Sequence, residues 1–151
     1  MIVEFTVPWT VEPKQGTKHR VAYAGDKVYA RAYTTHEVRK NADAIMLLMA
    51  QHRPAVPFAF NVGIVAVFTV TYPWRASESK KVRARGWAPK VTKPDWDNLG
   101  KQLSDCAERC GYFPNDAQIY DGRCVKIYGD QPGIAVRFSD VDDVLTEAVK
   151  R

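Results

Sequence analysis

Two aspartates two residues apart, Asp95 and Asp97, are followed by Lys101 and then, fifteen residues further on, by Asp116. Carboxylates are hard oxygen donors, which favours Mg²⁺ or Mn²⁺ over zinc. Just before them, from Pro73 to Lys93, lie Arg75, Lys80, Lys81, Arg83, Arg85, Lys90 and Lys93. Against these seven cations stands the single acid Glu78, a local charge of +6 where the whole chain carries +5. Acids able to hold a divalent cation, beside cations able to hold phosphate, suggest phosphodiester cleavage in a nucleic acid.

The elements that must position these residues can be read around them. Leu99, Leu103, Cys106 and Cys110 recur at helical spacing, so a helix is predicted from about 97 to 110, with Gly111 as its stop. Asp95 and Asp97 fall at its entrance, where an aspartate also serves as an N-cap and suits the positive helix end. Three features favour a site over simple capping: Pro94 fixes the approach, Lys101 lies one turn after Asp97, and Asp116 has a feasible path back. A helix of this length rises about 21 Å at about 1.5 Å per residue. The five residues from Gly111 to Asn115 can extend roughly 17 Å, so Asp116 could approach the helix start. Lys101 has two readings, an i,i+4 partner of Asp97 or a cation offsetting charge on a phosphate under in-line attack by water.

The remaining pattern reads as one α+β domain spanning 1–151, a mixed sheet packed by helices. Ile2 to Val7 alternates as a strand, Pro8 to Thr17 is loop-like, and Val21 to Tyr33 reads as a hairpin about Gly25-Asp26. Thr34 and Glu37 have capping-box spacing ahead of a helix from about 35 to 52, through Ala42, Ile45, Leu48 and Met49, ended by Pro54 and Pro57. A buried strand follows through Val62, Ile64, Ala66, Phe68 and Val70, stopped by Pro73. Strands are expected at 118–128 and 134–138. Ser139-Asp140 would cap a last helix to Val149 with Val141, Val144, Leu145 and Val149 on one stripe.

Bulk properties exclude several classes. The 151 residues are 46% hydrophobic, enough for a core, and a pI near 9.2 favours a polyanionic partner. Cys106, Cys110 and Cys124 are odd in number and lack zinc-site spacing, so the simplest compartment is a reducing cytoplasm. The N-terminus reads as a strand where a signal peptide would show a basic start and an apolar run. The longest apolar stretch, Phe58 to Tyr72, is too short for a membrane span. His19, His36 and His52 are scattered. Trp74 and Trp87, among the cations, either stack on exposed bases or pack back on the core.

The run Lys93-Pro94-Asp95-Trp96-Asp97-Asn98-Leu99-Gly100-Lys101, followed by Gly111-Tyr112-Phe113 with Asn115-Asp116-Ala117-Gln118-Ile119 and then by Lys126, resembles the signature of the RusA family of Holliday junction resolvases, many of them phage-borne. Pro13 to Arg20 and Arg31 to Thr34 extend the likeness. By that resemblance Asp95, Asp97 and Asp116 fall on the family's catalytic carboxylates and Lys101 on its catalytic lysine. It further implies a RusA-like fold and metal-dependent cutting of four-way DNA junctions in recombination and repair. Lys14, Lys18 and Arg20 would form a second grip on the phosphate backbone. A four-way junction has two equivalent strands to nick, so a symmetric homodimer follows from substrate geometry and the resemblance together. Family members often carry an acidic pair where this chain has Asn115-Asp116, a change expected to remove a supporting carboxylate. Two competing readings are a nuclease for other branched DNA and a catalytically silent junction-binding module.

Overall fold

A computed structural model of the chain describes residues 1–11, 18–25, 27–33 and 36–140. Lys14, Asp26 of the hairpin turn, Thr34 of the capping box and the helix expected from 140 to 149 lie wholly or in part outside the described residues. The elements are β1 (Ile2–Val7), β2 (Lys18–Ala24), β3 (Lys27–Tyr33), α1 (His36–Ala50), β4 (Ile64–Pro73), α2 (Lys80–Arg83), β5 (Trp87–Pro89), α3 (Trp96–Arg109), a 3₁₀ turn (Asp116–Gln118), β6 (Ile119–Gly129) and β7 (Gly133–Ser139). Five strands form a mixed sheet in the order β1-β7-β4-β6-β5, in which β4 and β6 run parallel and the other neighbours antiparallel. β2 and β3 pair separately as the expected hairpin.

Alternation decides which face of the sheet is covered. On β4, Ile64, Ala66, Phe68, Val70 and Tyr72 are buried, while Val67, Thr69 and Thr71 between them are half-buried. The buried set, with Ile134, Val136 and Phe138 of β7, belongs to the same core as Ile45 and Met49 of α1 and Leu99, Leu103, Cys106 and Ala107 of α3. Phe138 is ringed by Phe68, Tyr112 and Phe113 at centroid distances of 5.7, 5.4 and 5.4 Å. Cys106 and Cys110, expected as small core residues, direct Sγ at the carbonyls of Ala42 and Met46. Both contacts join residues 64 apart, so α1 and α3 run parallel along this stretch.

The connection from β6 to β7, residues 130–132, is not a hairpin turn, because β4 lies between the two strands. Glycines stand at both ends of this short crossing. A Cβ on Gly129 would lie 2.9 Å from the Thr71 methyl, and one on Gly133 would lie 2.9 Å from the Val7 carbonyl oxygen. Gly100, inside α3, differs: a Cβ there would meet the Cys124 Cβ at 3.5 Å, ordinary contact.

The glycines therefore predict opposite outcomes in urea unfolding. Gly133→Ala is expected to lose about 1–3 kcal/mol, since the obstructing atom is backbone and cannot rotate away. Gly100→Ala should be neutral or gain up to about 1 kcal/mol from helix propensity.

Candidate active site at the start of helix α3

Helix α3 is held by one face and presents the other. Leu99, Gln102, Leu103, Cys106 and Ala107 are buried, whereas Asp95, Trp96, Asp97, Asn98 and Lys101 are exposed. Asp95 occupies the N-cap position (φ −69°, ψ 143°), yet its side chain makes no capping hydrogen bond. Its backbone carbonyl accepts from Leu99 N at 3.1 Å, so the helix starts there without using the carboxylate. Among the described residues the ion pairs are Met1–Asp140, Arg75–Glu78 and Arg123–Asp121, so the i,i+4 pairing of Asp97 with Lys101 is not made. Asp95, Asp97 and Lys101 are thus gathered at one helix start with their charges turned to solvent.

Asp116 is placed differently. It begins the 3₁₀ turn after α3, and its backbone N–H donates to Glu108 Oε2 at 3.3 Å. Glu108 is eleven residues beyond Asp97 on α3, about 16 Å along the axis. Among the described residues no three histidine, cysteine or acidic side chains are grouped so that they could hold a metal ion. The reach available to residues 111–115 is taken up in the core instead: Tyr112 and Phe113 are buried, and the Tyr112 carbonyl accepts from Phe58 N at 2.9 Å. Burial raises the Tyr112 phenol well above its usual range, and its hydroxyl donates to the Met49 carbonyl at 2.6 Å. Asn115 caps the turn by accepting from Ala117 N at 2.8 Å, with Gln118 completing a capping box.

The loop leading into Asp95 is tied to β6 by a network the sequence reading did not foresee. Lys126 Nζ donates to the carbonyls of Thr92 and Pro94 at 2.7 and 2.6 Å. Thr92 Oγ1 lies 3.2 Å from the Tyr128 hydroxyl, and Lys90 Nζ reaches Thr92 Oγ1 at 2.9 Å and the Tyr128 hydroxyl at 3.3 Å. Lys90 also stands over the rings of Tyr72 and Tyr128, 4.7 and 5.1 Å from their centroids. The Tyr128 phenol is held below its ordinary value, first by the Thr92 hydrogen bond and then, against burial, by Lys90 and Arg75. Lys126 appeared in the sequence only as part of a motif. Its partners lie 34 and 32 residues away, too far for any local spacing to reveal them.

The basic segment, expected as a loop, contains α2 and β5. Its cations divide by role. Arg75 pairs with Glu78 at 2.8 Å, Arg83 donates to the Arg75 carbonyl, and Lys90 is engaged by the tyrosines. Lys80, Lys81, Arg85 and Lys93 are exposed and form none of the ion pairs among the described residues. Of the tryptophans, Trp74 packs on the core and donates to Asp130 Oδ1 at 2.7 Å, while Trp87 is 58% exposed. Trp96, between the two aspartates, is 61% exposed. Lys18 and Arg20 fall on β2.

The acidic pair suits a hard divalent cation. Mg²⁺ keeps several waters and commonly takes only one or two carboxylates with phosphate oxygens completing its shell, rather than an all-protein cage. Asp95 and Asp97, exposed and outside every ion pair among the described residues, supply such a partial set.

The family model for the endodeoxyribonuclease RusA matches residues 10–139. An uncharacterized protein, YqaN of Bacillus subtilis (strain 168), is 28% identical over 142 residues, covering 92% of this chain and 96% of its own length. The crossover junction endodeoxyribonuclease rusA of Lactococcus phage r1t is 29% identical over 93 residues, covering 62% of this chain and 66% of the phage protein.

Cys124, packed against Gly100 on the inner side of this site, gives a test of how closely α3 covers β6. Burial pushes its thiol up to about 11, with Lys126 opposing. The iodoacetamide labelling rate of the Cys124 peptide, followed by mass spectrometry, should keep rising to pH 10 because the thiolate is still scarce there. A rate that no more than about doubles between pH 9 and pH 10 would show an ordinary, solvated thiol.

Proposed function

The chain belongs to the RusA endodeoxyribonuclease family, and on that premise we propose that it is a Mg²⁺- or Mn²⁺-dependent nuclease that resolves four-way DNA junctions by paired symmetric nicks. The observation that carries this reading is the exposed Asp95–Asp97 pair beside Lys101 at the start of α3, next to the exposed cations Lys80, Lys81, Arg85 and Lys93. A divalent cation held by the pair supplies positive charge to the scissile phosphate and lowers the pKa of water. Lys101, one turn along the same exposed face, places an ammonium against the phosphate as negative charge builds. Lys80, Lys81, Arg85 and Lys93 hold the flanking backbone, and the exposed rings of Trp87 and Trp96 can stack on bases that a junction leaves open. Lys14, Lys18 and Arg20 are assigned to the same DNA surface on the family resemblance. The family resemblance also assigns Asp116 a part in cleavage, separate from the cation-holding pair.

Two equivalent strands must be cut, so the working unit is a homodimer with one site for each. The role that follows is in DNA recombination and repair, in phage or host. Three free cysteines are in keeping with the cytoplasm, and no helix among the described residues is long and apolar enough to cross a membrane.

Two experiments test this reading. On a labelled four-way junction with Mg²⁺ or Mn²⁺, Asp97→Asn and Asp95→Asn should fold and lose cleavage, while junction binding persists or tightens as a repelling charge is removed. Lys101→Ala should lose cleavage without losing metal, since an ammonium cannot ligate it. Asp116→Asn is expected to lose cleavage as well, and parental cutting by that variant would remove Asp116 from the site while leaving the pair. A folded Asp97→Asn protein that cuts at the parental rate would sink the site as a whole. In the second experiment, charge reversal of Lys80, Lys81 and Arg85 should reduce the slope of log affinity against log salt by about 0.9 for each phosphate no longer neutralised. An unchanged slope would place the DNA elsewhere.

A further inference from the structure

Lys126 lies on β6, half-buried, and its ammonium is directed at the backbone of one short loop. A lysine usually keeps its charged head hydrated. Here two of its three donors go to the carbonyls of Thr92 and Pro94, at 2.7 and 2.6 Å. Charge-assisted bonds of this kind are roughly twice as strong as neutral ones. The two carbonyls belong to the residues that deliver the chain to Asp95. The strand behind them is fixed in turn, since β6 stays paired with β4 from Lys126, opposite Val70, to Gly129, opposite Pro73.

Such a tie matters most where two carboxylates must share one small cation. Mg²⁺ demands near-ideal octahedral geometry, so the direction of the Asp95 side chain relative to Asp97 sets affinity. Asp97 is inside the helix and inherits its frame from the buried Leu99 and Leu103. Asp95, at the N-cap, is tied to the helix through its carbonyl, but its side chain makes no capping bond. We infer that Lys126 is a positioning residue for the acidic pair, clamping the Thr92–Pro94 backbone to β6 so that Asp95 and Asp97 present their carboxylates to one cation. Lys126 acts through the loop and itself touches neither metal nor DNA. The inference rests on the proposed assignment of Asp95 and Asp97 as cation ligands.

The test is Mn²⁺ titration of the full-length protein without DNA, by calorimetry or electron paramagnetic resonance, alongside metal-dependent junction cleavage. Lys126→Met should unfold cooperatively like the parent and bind Mn²⁺ about 10–100-fold more weakly, the usual range for losing a group that orients ligands. The Mn²⁺ needed for half-maximal cleavage should rise by a similar factor, more than the metal-saturated rate falls, while metal-free junction binding stays the same. Lys126→Arg keeps a cationic donor and should recover part of the loss. Amide exchange read by mass spectrometry should quicken over residues 92–98 in the Met variant, a change that a global loss of stability would not confine to that peptide. If the Met variant does not fold, Lys126→Gln carries the same expectations. Parental Mn²⁺ affinity in a folded Met or Gln variant overturns the inference. Asp97→Asn is the control: if it loses Mn²⁺ and the lysine variants do not, the positioning role alone fails, and if it keeps Mn²⁺, the assignment of the acidic pair fails with it.

Discussion

Parallel strands cannot be joined by a tight turn, so pairing β4 with β6 obliges the chain to travel back the full length of the sheet between them. Helix α3 makes that return. Its Gly100 lies against Cys124 and its Glu108 beside Asp116, so it runs opposite to β6, and its first turn comes to rest where Lys126 and Tyr128 end that strand. The basic segment leaves β4 at Pro73, at the same end of the sheet. One topological requirement thus brings together the acids, the cations and the lysine that anchors the loop. Crevices at the carboxyl ends of strands are where open α/β sheets generally place their ligands.

The cations of this region are of two kinds, and the difference is physical rather than positional. Lys90 is caught between Tyr72 and Tyr128, whose rings and hydroxyl groups replace part of its hydration, and Arg75 pairs with Glu78 while standing 5.1 Å from the Tyr128 ring centre. These charges build the support. Lys80, Lys81, Arg85 and Lys93 carry no such ties and keep their fields in solvent. Trp74 and Trp87 divide the same way, one bonded to Asp130 on the core and the other exposed.

Much of this was readable before any coordinates, and the limits of the reading have causes. The stripe Leu99-Leu103-Cys106-Cys110 announces α3 because its period is set by the helix itself, and it predicted 97–110 where Trp96–Arg109 is found. Alternating apolar residues marked β4 for the same reason, and strands were expected at 118–128 and 134–138, where β6 and β7 lie. Strand order was not readable: residues 130–132 are short enough for a hairpin, and only the glycines on either side hint that they pass over Thr71. The placement of Asp116 was a matter of reach, which bounds a distance without choosing one. Burial of Tyr112 and Phe113 made the choice. Lys126 was marked only through the family resemblance, and its tie to the loop was not readable, since a hydrogen bond to a distant carbonyl leaves no pattern around the donor.

The pairing of β1 with β7 joins Ile2 to Ser139, so the first strand finds its neighbour in the sheet, among the described residues, in the last of them. During synthesis β1 must wait, unpaired, until residues 133–139 have emerged from the ribosome, and β7 must then insert between it and β4. Contacts this distant in sequence close late and slow folding. The same delay means that no nascent fragment short of β7 owns the sheet on which α3 is seated. The core against which α3 packs is then completed only once Ile134, Val136 and Phe138 have been made.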